Sequence, residues 1–301
     1  MKKKIYLSEL VADSVRQMLA DHYEIVDNFD HPEEIEAVLV RQVPMSRERI
    51  EQMPNLKVIS MHGIGLDRID MEAAKEHGVQ VFNVPAMGAE AVGELAVTYM
   101  MALARKLKQA ENGLKQGKYT SFGPAELVGH ELTGKTLGVI GMGNISQVVM
   151  RIMRNSFGMT VLGYDPFAST EKAAALGAEK VETVKELFSR SDFINISVPL
   201  TDSTRNMVNA EVLAAAKPGL ILVNTARGGI IDEDALYQAL QTGPIGGAGL
   251  DVTVQEPIDK DNPLLSLDNF MCSPHIGGST YESRERVGTV AAQHILDILG
   301  A

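Results

Sequence analysis

The chain has 301 residues, 45% of them hydrophobic and 22% charged, with a net charge of −11 and a single cysteine, Cys272. That length suits two domains, and the acidic balance argues against nucleic acid or an anionic membrane as partner, because both need a basic face. One cysteine excludes an intramolecular disulfide framework and cannot by itself form a thiolate metal cluster, so no metal is expected.

The opening MKKKIYLSELVADSV has a basic tip but no sustained apolar run. It reads as a strand leading into a helix, not as a secretory signal. No window of the sequence reaches the apolar length of a membrane span, and a reduced, cytoplasmic setting is expected. Short apolar runs follow at KIYL, YEIV, AVLV, LKVISM and VQVFNV. Between them LVADSVRQMLADH and DMEAAKEHG carry apolar residues three and four apart, and this alternation predicts a parallel sheet flanked by helices. A long proline-free helix is predicted from about Ala89 to Leu114, followed by a Gly- and Pro-containing connector, QGKYTSFGPAELVG. From Leu137 the alternation restarts with LGVIG, TVLGYD, FINISV, GLILVNT, GGAGLDV and FMCSPH, and YESRERVGTVAAQHILDIL closes the chain as one amphipathic helix. Two α/β units joined by the long helix are the expected organisation.

LGVIGMGNIS holds the first chemical signal. In a dinucleotide fingerprint the first glycine makes the tight turn and the second lets the backbone approach the pyrophosphate. The third allows helix and strand to pack closely, with the helix N-terminus facing the anion. Gly141 and Gly143 fill the first two places and Asn144 and Ile145 open the helix, while Ser146 stands at the third. An acidic residue is needed about twenty positions on. TVLGYDP supplies Asp165, a hydrogen-bond acceptor for both ribose hydroxyls and a poor neighbour for a 2′-phosphate, which favours NAD over NADP.

Three later segments each place polar residues at the end of an apolar strand, the edge where open α/β sheets bind ligands. NTARGG offers Arg227, GLDVTVQEP offers Asp251 and Glu256, and SPHIGGST offers His275. Arg227 and His275 are each followed by two glycines, read as room for a ligand beside the backbone. An arginine binds a carboxylate in a planar fork, a histidine donates or accepts a proton at a carbonyl oxygen, and a glutamate orients the ring. Singly, Arg227 also fits a surface ion pair, Glu256 a turn residue and His275 a satisfied buried histidine.

Together with HGIGLDRID, NVPAMGAEAVGELAV and SVPLTDSTRNMVN, these segments resemble the D-isomer-specific 2-hydroxyacid dehydrogenases, in the family's order and over nearly the whole chain. The resemblance implies a Rossmann NAD-binding domain inserted in a flavodoxin-like substrate domain, both doubly wound parallel sheets. Residues 1–97 and 281–301 would form the substrate domain and residues 98–280 the cofactor domain. It implies that Arg227 orients the substrate, that His275 is the acid/base and that Glu256 is its partner. Asp251 would contact the nicotinamide carboxamide. Val198, Pro199 and Thr204 would border the adenine and pyrophosphate side, and Thr225 and Ala226 the nicotinamide end. Gly63, Ile64 and Gly65 would offer backbone N–H groups to the substrate carboxylate across the cleft.

The wording of HGIGLDRID and STRNMVN is most like phosphoglycerate dehydrogenases and hydroxypyruvate reductases. A phosphorylated substrate needs a distal cation, for which Arg41 and Lys118 are the candidates. The chain ends at its last helix, so the regulatory extension of some phosphoglycerate dehydrogenases is not expected. The resemblance also implies a homodimer formed through the cofactor domain. From another class, the C-terminal-binding corepressors share the fold and bind NAD(H) as an assembly switch. Formate dehydrogenases carry a glutamine where this chain has Glu256. Departures from the family pattern are Ser146, one extra residue before Asp165, and Thr253 and Val254 ahead of the Q-E-P turn; they leave cofactor affinity and the pocket wall open.

Overall fold

In a computed structural model, which describes residues 2–8 and 11–300, the chain divides into two compact units, Met1–Ala91 with Gly278–Ala301, and Val92–Gly277. The first unit holds strands β1 (Lys4–Leu7), β2 (Glu24–Val26), β3 (Ile35–Val40), β4 (Val58–Met61) and β5 (Gln80–Phe82). They form one parallel sheet in the order β2-β1-β3-β4-β5, the doubly wound flavodoxin-like arrangement. Side chains alternate across it as a period of two demands. Ile5, Leu7, Ala37 and Leu39 pack on one face with Val287, Ala291 and Ile295 of the last helix, Tyr281–Leu299. Tyr6, Val38 and Val40 pack on the other with Ile50 and Ala73. Leu10, with which the first predicted helix opens, lies outside the described residues; the helix itself is Asp13–Ala20.

The second unit holds β6 (Thr136–Ile140), β7 (Thr160–Tyr164), β8 (Glu179–Lys180), β9 (Phe193–Ile196), β10 (Leu220–Asn224), β11 (Ile245–Leu250) and β12 (Phe270–Cys272). Their order is β12-β11-β10-β9-β6-β7-β8, again all parallel. The order reverses between β6 and β9, so the ligand-binding edge expected of a Rossmann sheet is the carboxyl end of these strands. Apolar layers cover both faces, Leu137, Val139, Ile221 and Val223 on one and Ile140, Ile194, Ile196 and Leu222 on the other. Burying each such side chain contributes about 1.5–3 kcal/mol. No helix among the described residues is long and apolar enough to cross a membrane.

The predicted 89–114 helix is two helices, Ala89–Ala104 and Leu107–Lys115, broken at Lys106, which is left-handed at φ 51°. No glycine or proline marks the break; the connector takes the Ala104 carbonyl, which would accept from the next turn of a continuous helix, and holds the Lys106 side chain. His130 N–H donates to the Ala104 carbonyl at 2.9 Å, and Lys106 Nζ donates to the Glu126 carbonyl at 2.8 Å. Beyond the break Lys108 Nζ donates to the carbonyls of Leu267 and Phe270 at 3.0 and 2.9 Å. Two elements carry no clear strand or helix signal in the sequence: the two-residue edge strand β8 and the short helix Arg47–Glu51, which Ser46 caps by accepting the Arg49 N–H.

Candidate active site

The site of the second unit is assembled from the turns that follow its strands. After β6 the chain turns at Gly141, whose φ is 83° and whose N–H donates to the Tyr164 carbonyl at 2.8 Å. A Cβ there would lie 2.6 Å from Val198 Cγ1 and 2.7 Å from the Ser197 carbonyl, so the first glycine is enforced by the protein's own packing. Gly143 is different. Its backbone is extended and a Cβ would meet nothing within 4 Å, so packing among the described residues does not demand the glycine, which leaves room for a ligand. Gly143 caps the helix Asn144–Phe157 without a side-chain hydrogen bond and with no acidic residue in the first turn. Four other helices of this unit carry side-chain caps, from Ser169, Thr183, Asn209 and Asp232. The fingerprint helix therefore keeps its N–H groups and positive dipole end for an anion.

Asp165 follows β7 and accepts the Met142 N–H at 3.0 Å and the Phe167 N–H at 2.9 Å. It thus fastens the glycine turn as well as offering a carboxylate. Ser146, at the place of the third glycine, is fully buried, and its Oγ accepts from Asn195 Nδ2 at 3.4 Å beneath the helix. Asn195 Nδ2 also donates to Ser197 Oγ at 2.9 Å. Thr204 uses its hydroxyl within its own loop, donating to the Pro199 carbonyl at 2.7 Å and accepting the Thr201 N–H at 2.8 Å.

After β10 the buried Asn224 builds the next turn, accepting the Ala226 N–H and donating to the Arg227 carbonyl, both at 2.9 Å. Arg227 Nη1 donates to the Ala226 carbonyl at 2.7 Å. The Thr225 hydroxyl in this turn is buried and has no hydrogen-bond partner among the described residues, an orphan that a bound ligand would satisfy. The glycines after Arg227 serve a different purpose from the one their sequence suggested. A Cβ on Gly228 would lie 2.0 Å from the Thr253 carbonyl, so the close approach is to the Asp251–Glu256 loop, and Gly229 is needed for its φ of 79°. This contact brings the Arg227 turn against the loop that carries Glu256. Glu233 Oε1 accepts the Val254 N–H of the same loop at 2.7 Å; its burial raises its pKa.

Asp251 is 1% exposed and its carboxylate is fully engaged. Oδ1 accepts from the Ser273 hydroxyl and from the Ile276 N–H at 2.8 Å, and Oδ2 from the Gly277 N–H at 2.7 Å. It therefore clamps the Ser273–Gly277 segment, a task its expected contact with a carboxamide did not include. Gly277 is close to Asp251 Oδ2, 2.9 Å from a notional Cβ, so here too the glycine serves the protein's packing. Between the clamped residues His275 sits at φ 54°, and its Nδ1 lies 3.0 Å from Glu256 Oε2. A carboxylate only accepts, so Nδ1 carries a proton and Nε2 is the atom left to exchange one. Cys272 is no rival nucleophile, because burial pushes its thiol up to about 11.

The predicted residues Arg41, Gly63, Ile64 and Gly65 lie in the first unit, at the carboxyl ends of β3 and β4. Arg41 Nη2 donates to Ser279 Oγ at 2.7 Å. Gly63 has a φ of 155° and open space where a Cβ would stand, and the Ile64 carbonyl accepts from Asn83 Nδ2 at 2.7 Å. Gly65 follows in the same turn. Lys118, in the second unit, pairs with Glu126 at 3.6 Å and faces the Tyr119 ring. Asn224, Glu233 and Ser273 carry no sequence signal strong enough to single them out. A polar residue inside an apolar strand, as in LILVN, was the one signal that pointed to Asn224.

A family profile described as "D-isomer specific 2-hydroxyacid dehydrogenase, NAD binding domain" matches residues 97–277. The D-3-phosphoglycerate dehydrogenase of Methanocaldococcus jannaschii is 46% identical over 255 residues, covering 85% of this chain and 48% of that protein. The chain thus spans about half the length of that relative. The hydroxypyruvate reductase of Thermotoga maritima is 41% identical over 309 residues, 99% of this chain and 98% of that one. Among solved structures, D-lactate dehydrogenase from Aquifex aeolicus complexed with NAD and lactic acid is similar, with a TM-score of 0.84 and 30% identity over 98% of this chain and 95% of that one.

Proposed function

Because the chain belongs to the D-isomer-specific 2-hydroxyacid dehydrogenase family, we propose that it interconverts a small 2-oxo acid and its D-2-hydroxy acid with NAD(H). The observation that carries this is the His275–Glu256 pair at 3.0 Å on a backbone clamped by Asp251. The bound nicotinamide supplies a hydride to C2 in reduction and accepts it in oxidation. His275 Nε2 gives the 2-oxo oxygen its proton in reduction and takes it back in oxidation, so one hydride and one proton convert the carbonyl to an alcohol. Glu256 holds Nδ1 and so fixes the orientation of the ring. In the second unit Arg227 holds the substrate carboxylate; in the first, Gly63, Ile64 and Gly65 are the substrate-binding turn that follows β4, with backbone N–H groups as donors.

The fingerprint turn fits the dinucleotide: open space at Gly143, an uncapped helix and the orphaned Thr225 hydroxyl are what a phosphate and a nicotinamide ribose require. Asn144 and Ile145 bring N–H groups to the pyrophosphate, and Asp165 receives the ribose and favours NAD. Val198, Pro199, Thr204, Ala226 and Asp251 border the cofactor. In this reading the first unit is the substrate domain and the second the cofactor domain.

The substrate we favour is 3-phosphoglycerate with phosphohydroxypyruvate, on the likeness to the phosphoglycerate dehydrogenases, with Arg41 the distal cation. Hydroxypyruvate or glyoxylate is the second reading. It is supported by the likeness to the Thermotoga reductase over nearly the whole of both chains and by the engagement of Lys118 with Glu126. A homodimer in the cytoplasm completes the proposal; exposed Leu107, Leu114, Phe122 and Val128 in the broken-helix and connector region are the apolar surface it would cover.

The test follows NADH absorbance with hydroxypyruvate, 3-phosphohydroxypyruvate, glyoxylate, pyruvate and 2-oxoisocaproate. The expected result is turnover of one acid, reduced about 10²–10⁴-fold in His275→Ala. Tight NADH binding without turnover of any acid would instead support the corepressor-like reading.

A further inference from the structure

The hydroxyl of Tyr99 is used by nothing in the mechanism above, yet it is buried inside the cofactor unit. Tyr99 is 4% exposed, on the helix Ala89–Ala104, with its ring over β11: a Cβ on Gly249 would lie 2.7 Å from Tyr99 Cγ. A phenylalanine would fill that space equally well, so packing explains the ring and leaves the hydroxyl unexplained. Burying a hydroxyl costs free energy unless it is bonded. Tyr99 O–H lies 2.5 Å from Ser273 Oγ and 3.4 Å from the Leu250 carbonyl. Ser273 in turn donates to Asp251 Oδ1 at 2.5 Å.

The chain of donors runs in one direction. The phenol donates to the serine, the serine hydroxyl to the carboxylate, and the carboxylate also receives the Ile276 and Gly277 N–H groups. His275 lies between Ser273 and Ile276, and its own N–H donates to the Asp251 carbonyl at 2.9 Å. Its left-handed φ of 54° is strained for a non-glycine residue and persists only where surrounding contacts over-determine it. The Asp251 clamp is that set of contacts, and Tyr99 fixes the rotamer of the serine that completes it.

We propose that Tyr99 is a positioning residue for the acid/base histidine, acting through Ser273 and Asp251 to hold the Ser273–Gly277 backbone. This rests on the dehydrogenase reading for its catalytic consequence, but the positioning itself has a readout without turnover. The Tyr99 hydroxyl hydrogen-bonds to Ser273 and the Leu250 carbonyl, not to the groups that exchange the proton, so it sets where the ring sits and leaves the proton chemistry alone.

The test compares wild type, Tyr99→Phe, Ser273→Ala and the double variant in the full chain. A misplacement of about 1 Å is worth up to about 10²-fold, and Tyr99→Phe is expected to lower kcat about tenfold on the best 2-oxo acid. The Kd for NADH should stay within about twofold of wild type, a range of about 0.4 kcal/mol. The pH profile of kcat should keep its shape, because Nδ1 remains on Glu256. Hydrogen exchange at the Ile276 and Gly277 amides should quicken in Tyr99→Phe while β6 and β10 stay unchanged. The double variant should be no slower than Ser273→Ala alone, since both act through one hydroxyl.

Wild-type kcat and wild-type exchange in Tyr99→Phe would overturn the proposal, as would fully additive losses in the double variant. If no variant, wild type included, turns over any acid, the dehydrogenase reading fails. The exchange at Ile276 and Gly277 then decides the positioning by itself, faster supporting it and unchanged refuting it.

Discussion

The turn after β6 and the segment after β12 stand on the same sheet edge and treat their polar groups in opposite ways. Around Gly143 the helix end is uncapped, the space is open and the Thr225 hydroxyl of the neighbouring turn has no partner among the described residues. Around His275 the donors are committed: Ser273, Ile276 and Gly277 all point at Asp251, and Nδ1 of the ring engages Glu256. A surface that must receive a ligand keeps donors in reserve. A group that must act at one position has its donors used within the protein to fix it.

The comparison is broken most severely at Asp251. Asp251→Asn replaces a buried acceptor oxygen with an amide that faces N–H or O–H donors. It is expected to lose about 2–3 kcal/mol of stability and about 10²-fold in kcat as the histidine segment loosens. A thermal melt and NADH kinetics check both. If Asp251 served only a carboxamide, NADH binding would weaken while the melting temperature held.

Gly143→Ala tests the open side. The backbone there is extended, at φ −74° and ψ −173°, and a methyl group meets nothing. The gain of about 0.4–1 kcal/mol from a stiffer unfolded chain is offset by the poorer N-cap, so the free protein should stay within about 1 kcal/mol of wild type. NADH affinity should nevertheless fall tenfold or more, about 1.4 kcal/mol, read by fluorescence titration. Unchanged affinity would mean that nothing approaches this backbone.

Much of this edge was legible in the sequence because parallel strands buried on both faces are written as apolar runs, and because ligand groups must follow their carboxyl ends. The fold class, and the placing of Gly141, Asp165, Arg227 and His275 just after strands, with Glu256 in the loop that follows β11, came from that grammar. What was not legible depends on contacts distant in sequence. The helix break at Lys106 is made by His130 and Glu126, and no glycine or proline marks it. The glycines after Arg227 and His275 look like ligand clearances, whereas Gly228 and Gly277 make room for Thr253 and Asp251. A one-dimensional motif tells that a backbone comes close to something, but not to what.

Ser146 shows the same limit in miniature and gives the next smaller effect. As a letter it is a lapse in the fingerprint, weakening cofactor binding. In the fold its hydroxyl receives the Asn195 amide, itself fully buried on β9, so the serine has a local partner that a glycine lacks. Ser146→Gly should therefore lose about 1 kcal/mol, from helix propensity and the lost hydrogen bond, with NADH affinity within about twofold of wild type. A glycine variant that bound NADH tenfold tighter at equal stability would restore the view that the serine is a defect of the cofactor site.

The smallest effect carries the comparison into the first unit, where His62 precedes the Gly63–Gly65 turn. It resembles the committed side: His62 is 6% exposed, and its Nε2 lies 3.2 Å from the Arg284 carbonyl, which can only accept, so Nε2–H is the donor. Burial lowers the ring's pKa, and the Arg41 and Arg284 charges push in the same direction, outweighing the raising effect of its backbone hydrogen bonds. The sign of the linkage follows. Below the ordinary histidine value of about 6.5 the unfolded chain takes up a proton that the folded one resists, so the unfolded state binds more protons and stability falls as pH falls through that window. At most about 1.4 kcal/mol per pH unit is involved. Melts from pH 7.5 to 5.5 should show a steeper loss in wild type than in His62→Gln, which keeps a donor for Arg284 without a titrating ring. Parallel curves would mean that the charged ring is accommodated, and that this histidine belongs with the groups held in reserve.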